Sequence, residues 1–138
     1  MSPTDELTDA IRAANRVYII GNGGGYANAM HLCNDLLSSG VKAFTLDPAT
    51  MAAWANDHGW DSVFSRWIWV VGAPGDLLIA LSGSGRSPNI LQAIEVAQSI
   101  GMIVYRIFGN ERGESMHEAE EQQLVMGHQV TTCLHART

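Results

Sequence analysis

Two short runs of this chain have the composition of an anion-holding loop. Gly21-Asn22-Gly23-Gly24-Gly25 sets four glycines and an asparagine between an apolar stretch, Val17-Tyr18-Ile19-Ile20, and a helical pattern from about Tyr26 to Leu37. Glycines let a backbone approach a ligand closely and adopt φ > 0, and a helix N-terminus adds partial positive charge. Ser82-Gly83-Ser84-Gly85-Arg86-Ser87 follows a second apolar stretch, Leu77-Leu78-Ile79-Ala80-Leu81, and brings three hydroxyls to the next helix start. Hydroxyl and N–H donors converging on one point suit the acceptor oxygens of a phosphate. Each run also has a plainer account, a tight turn for close helix–strand packing in the first and a flexible turn in the second. Arg86 reads as a solvated loop cation or as a phosphate contact. His31 and Asp35 are spaced i,i+4 and share a helix face, which on spacing alone fits a surface or capping pair. His128 lies in a last helix of mixed polarity, where a structural histidine is an equal reading.

Other ligand classes are excluded more firmly. A Walker A loop needs Gly-Lys-Ser/Thr after four spacer residues, and nothing here fits; the dinucleotide pattern needs Gly or Ala where Tyr26 stands. No nucleotide cofactor is expected. The formal charge is −6, from 14 acidic against 8 basic residues. That balance offers no basic stripe for nucleic acid. No apolar run approaches the roughly 20 residues of a membrane span. The start, Met1-Ser2-Pro3-Thr4-Asp5-Glu6, lacks the pattern of a secretory signal, so the expected location is cytoplasmic. Cys33 and Cys133 fall in apolar helical patterns and read as core residues.

The elements that must position the two loops alternate between strand and helix. A helix over Leu7–Ala14 precedes a strand over Arg16–Ile20, and the helix after the glycine loop ends at Ser38-Ser39-Gly40. A strand over Lys42–Leu46 follows, then loop and helical turn over residues 48–57, then a helix over Asp61–Val71. The Leu77–Leu81 strand leads through the serine loop to a helix begun by Ser87-Pro88, where Ser is expected to cap and Pro suits the first turn. That helix reaches Ile100. A strand over Met102–Ile107, a turn over Gly109–Gly113 and a helix over His117–Leu134 complete residues 1–138 as one domain.

This order predicts an α/β three-layer sandwich with a doubly wound, flavodoxin-like parallel sheet. Strands one and three are apolar on both faces, as central parallel strands are. Lys42 and Arg106 put charges in strands two and four, as edges do. The order 2-1-3-4 satisfies both and brings the ends of strands one and three together at a topological switch point, where open α/β sheets bind ligands. Trp67-Ile68-Trp69-Val70-Val71 is apolar all round its helix, which predicts burial in the domain or in a contact between copies of the chain.

Gly21-Asn22-Gly23-Gly24 with Ala29-Met30-His31 resembles the sugar isomerase (SIS) domain family, and within it the sedoheptulose-7-phosphate (phosphoheptose) isomerases. The likeness runs through Trp54-Ala55-Asn56-Asp57, Phe64-Ser65-Arg66, Pro74-Gly75-Asp76-Leu77-Leu78, Ser82-Gly83-Ser84-Gly85 and Ala93–Gly101, and resumes at Glu120 and His128. The resemblance implies the SIS fold and a sugar-phosphate ligand held by Asn22, Gly23, Gly24, Asn56, Asp57, Ser82, Gly83, Ser84, Ser87 and Glu120. It implies a homo-oligomer, dimer or tetramer, with sites at subunit interfaces. It further implies Asp35 and His128 as catalytic base and acid, and a zinc site at His31, Asp35, Glu120 and His128. Gly25 stands where the family has Ser, Gly83 where it has Thr, Asp35 where it has Glu, and Glu120 where it has Gln; Glu121 or Gln122 is the alternative for that last position. Only about 15 residues precede strand one, and the family's fifth strand is not found. Two readings follow: an aldose–ketose isomerase of a phosphorylated heptose or related sugar, or a non-catalytic sugar-phosphate-binding or interaction module.

Overall fold

The computed structural model describes residues 1–109 and 115–136. Helix α1 (Pro3–Ala13) begins with a capping box: Ser2 accepts from the Asp5 N–H while Asp5 reaches back to Ser2, and Pro3 fills the first turn. Strand β1 (Val17–Ile20) runs into α2 (Gly24–Ser38), and β2 (Ala43–Thr45) into α3 (Pro48–His58). A single 3₁₀ turn leads to α4 (Val63–Val71). Strand β3 (Leu77–Ser82), α5 (Pro88–Ile100), β4 (Ile103–Phe108) and α6 (Met116–Ala136) follow.

The four strands form one parallel sheet in the order β2-β1-β3-β4. The period of two along the central strands divides the core into two halves. Val17 and Ile19 of β1 and Leu77, Ile79 and Leu81 of β3 face one side, packed on Leu7 and Ile11 of α1, Leu32 and Leu36 of α2, and Met126 and Val130 of α6. Tyr18, Ile20, Leu78 and Ala80 face the other, packed on Phe64, Trp67 and Ile68 of α4 and Ile90, Ala93 and Ile94 of α5. Three layers result, and the helices that follow β1 and β3 lie on opposite faces. That divergence leaves the two loops side by side at the carboxyl ends of β1 and β3. Arg106 lies exposed on edge strand β4.

Several local expectations are corrected. Residues 48–58 are an 11-residue helix, not a loop with one turn. Asp47 caps it by accepting from the Thr50 N–H at 2.8 Å, which also holds the Asp47 carboxyl below its ordinary range. No α3 residue is fully buried, so the helix carries no strong apolar stripe to read. Lys42 lies just before β2 rather than in it. In the Trp67–Val71 run only Trp67 and Ile68 are buried; Trp69 and Val70 are 68% and 72% exposed. Ser87 occupies the N-cap of α5 but makes no capping hydrogen bond. Cys33 is buried, and burial raises its thiol pKa; Cys133 is half-buried. Beyond Gly109, the turn expected over Gly109–Gly113 falls outside the described residues. Among the described residues, no helix is long and apolar enough to cross a membrane.

Candidate functional site

The glycine loop is a compact cradle. Gly23 has φ 54° and ψ −119°, a conformation that side chains resist. At Gly21 the chain folds back on itself so tightly that a Cβ would lie 2.6 Å from the Gly25 backbone. The Gly25 N–H closes the turn by donating to the Asn22 carbonyl at 2.8 Å. Tyr26, the next residue, donates its phenol to the Leu46 carbonyl at 2.6 Å and ties the start of α2 to the end of β2. Burial, then the nearby Asp47 charge, raises its pKa, so it remains a donor.

The serine loop is organised by its own hydroxyls. Ser82, 5% exposed, accepts from the Gly85 N–H at 2.9 Å, and Ser84 accepts from the Arg86 N–H at 3.1 Å. Ser84 and Ser87 Oγ lie 3.4 Å apart. Ser87 makes no side-chain cap; in the first turn of α5, Pro88 has no N–H and the Ile90 N–H donates to the Ser87 carbonyl at 3.1 Å, which leaves the Asn89 N–H for another acceptor. Arg86 is exposed.

From the glycine loop, α2 and α6 run side by side as a parallel pair with nearly constant offset. Gly24 lies under the Glu120 carboxylate, which occupies the space a Cβ would need. One turn on, Asn28 Nδ2 donates to the Glu120 carbonyl and to Gln123 Oε1, each at 2.9 Å. Further along, His31 Nε2 is 2.9 Å from His128 Nε2 and 3.3 Å from Asp35 Oδ2. At the far end, Ser39 Oγ is 2.8 Å from His135 Nε2.

His31, Asp35 and His128 thus converge, with donor atoms within 4.8 Å of one another. Both histidines are exposed and Asp35 is half-buried. In the tautomer that carries its proton on Nε2, His31 has both the Asp35 carboxylate and the His128 Nε2 lone pair as acceptors within reach. Two imidazoles and a carboxylate also match a zinc donor set. The residues present therefore fit such an ion, although the Nε2 pair stands at hydrogen-bonding distance.

Glu120 is not in this cluster. It lies on α6 eight residues before His128, about 12 Å along the helix axis. Asn56 and Asp57 lie exposed in the last turn of α3, where Asn56 Nδ2 donates to Asp57 Oδ1 at 3.4 Å. Three residues that sequence reasoning passed over belong to the site's framework: Asn28, Asn89 and Gln123. Gln123 is 3% exposed, and its Nε2 has no partner among the described residues. It lies beside Gly25, where a Cβ would be 3.7 Å from its Oε1. No single-sequence signal marks them, because each bonds a partner at least 67 residues away.

The sheet is doubly wound and parallel, with a glycine and a serine loop at its switch point, and the profile described as the SIS domain matches residues 3–109. The chain belongs to the SIS domain family. It is similar to the phosphoheptose isomerase of Akkermansia muciniphila, 38% identical over 121 residues, covering 82% of this chain and 64% of that protein. The phosphoheptose isomerase of Rhodospirillum rubrum is 40% identical over 116 residues, covering 78% and 62%. The chain therefore spans less than two thirds of the length of these relatives. In fold it is similar to the phosphoheptose isomerase of Neisseria gonorrhoeae, with a TM-score of 0.89 at 23% identity over 97% of this chain and 85% of that one.

Proposed function

We propose that this chain is an aldose–ketose isomerase acting on sedoheptulose 7-phosphate or a related phosphorylated sugar. The observation that carries this reading is the convergence of His31, Asp35 and His128 on a helix seam that starts at the glycine loop. Gly24 and His31 are seven residues apart on α2, about 10 Å along its axis. A ligand reaching from the loops to the cluster is an extended sugar phosphate rather than a bare phosphate.

Its phosphate sits between Gly23–Gly24 and Ser82–Ser87, on N–H groups and the hydroxyls of Ser82, Ser84 and Ser87. Glu120 and, across a subunit boundary, Asn56 and Asp57 face the sugar hydroxyls. Isomerisation removes a proton beside the carbonyl and returns it to the neighbouring carbon through an enediol. Asp35 takes that proton and returns it to the neighbouring carbon, while His128 protonates the carbonyl oxygen and recovers a proton from the neighbouring hydroxyl as it becomes the new carbonyl, with His31 as relay. When bound at His31, Asp35 and His128, zinc supplies polarisation of the sugar oxygens. Those atoms are the acid–base atoms too, so each serves one role at a time.

Sugar phosphates should bind, and isomerase activity should fall at least ~100-fold in both Asp35→Asn and His128→Ala with binding retained. An unmodified protein that binds but does not turn over, with or without zinc, is a binding module instead. We also assign a homo-oligomeric state. Trp69 and Val70 stand exposed beside a groove of about 330 Å³ that includes Trp54 and Val96. Light scattering at micromolar concentration should report at least a dimer, and a monomer would refute it. A cytoplasmic location suits the two free thiols, Cys33 and Cys133.

A further inference from the structure

Asn22 and Asn89 form a closed amide pair. Asn22 Nδ2 donates to Asn89 Oδ1 at 2.8 Å, and Asn89 Nδ2 donates back to Asn22 Oδ1 at 2.8 Å. Asn22 is the second residue of the glycine loop, and Asn89 is the second residue of α5, directly after the serine loop. The bonds therefore bridge two loops whose strands, β1 and β3, are neighbours in the sheet.

Asn89 is 1% exposed. A buried amide satisfied by one partner through both its donor and its acceptor has one orientation, since rotating either amide alone would oppose like groups. We infer that Asn89 is a positioning residue, which through Asn22 fixes the distance and tilt between the glycine loop and the α5 N-terminus. This rests on the reading that a sugar phosphate lies between those loops. Asn22 then acts mainly through its bond to Asn89 and less through its own side chain on the ligand. Phosphate recognition needs donors from both loops at one point, so a device that holds their separation limits affinity without touching the ligand.

The test uses Asn22→Ala, Asn89→Ala and the double variant, read by amide exchange of the free protein and by calorimetry with sugar phosphates. Asn22 is half-buried, so its variant keeps the test open if Asn89→Ala fails to fold. Each single change should speed exchange in the opposite loop about 10-fold: Gly85 and Arg86 N–H groups in Asn22→Ala, the Gly25 N–H in Asn89→Ala. Affinity should fall about 10-fold in each, and the double variant should bind no worse than the weaker single, because the two act as one unit. Unchanged exchange in the opposite loop would overturn the Asn22–Asn89 pair as a staple between the loops. Faster exchange with unchanged affinity, or losses that multiply, would overturn the positioning role. If the unmodified protein binds no sugar phosphate, the proposed function fails while exchange still decides the staple.

Discussion

The glycine loop and the serine loop hold equivalent places, each between a central parallel strand and a helix, yet they are fixed in different ways. The glycine loop is closed on itself, Gly21 on the Gly25 backbone, and is also held from outside: Gly24 lies under Glu120, Gly25 lies beside Leu81 and Gln123, and Asn22 is bonded to Asn89. The serine loop is held from within, by Ser82 on Gly85 and Ser84 on Arg86. At Gly83 a Cβ would meet the Sδ and Cε of Met116 at 2.7 Å, the mobile end of an exposed side chain. One loop is a rigid floor; the other is a set of hydroxyls that can trade local bonds for a ligand at small cost.

The sharpest way to break this comparison is to make one substitution in both loops. Alanine at Gly21 meets backbone 2.6 Å away that has no room to yield, and overpacking of that kind costs about 3 kcal/mol. Alanine at Gly83 displaces only the end of Met116 and should change stability by less than about 0.5 kcal/mol. Urea unfolding of both variants measures the gap. Equal losses would mean that the serine loop is as tightly built as its neighbour, and the contrast would fall.

The same contrast explains what could be read in the sequence. The sheet order was legible because burial on both faces leaves a compositional trace in Val17–Ile20 and Leu77–Leu81, and Arg106 marks an edge. The two loops were legible because glycine and serine are needed there for local reasons. Helix α3 was read only as loop and turn because it buries little and shows no apolar stripe, although Asp47-Pro48 is the same kind of start as Ser87-Pro88. Trp69 and Val70 were expected to be buried in the domain or in a contact between copies; the first alternative fails, because a helix packed on one side cannot bury all its faces. The histidine cluster was visible only by resemblance. His31 and His128 are 97 residues apart, and only the parallel packing of α2 on α6 joins them. Asn89 and Gln123 act through long-range amide bonds that leave no periodicity to detect.

A smaller effect tests the floor where it is least complete. Gly25 is the second residue of α2, and its φ is not positive, so a side chain fits the backbone there. A Cβ at this position would sit 3.6 Å from the Leu81 carbonyl and 3.7 Å from Gln123 Oε1, both ordinary contacts. Replacing glycine in such a place gains about 0.4–1 kcal/mol by restricting the unfolded chain. Serine adds a hydroxyl next to Gln123, whose buried Nε2 lacks a partner among the described residues. An unmet buried donor costs about 1–3 kcal/mol, and a new acceptor recovers part of that. Gly25→Ser should therefore stabilise by about 1 kcal/mol, a rise in Tm of about 4 °C, and Gly25→Ala by about half as much. The difference between the two variants isolates the hydroxyl. If serine does no better than alanine, the Gln123 amide is not reached from position 25, and the floor of the glycine loop is already complete.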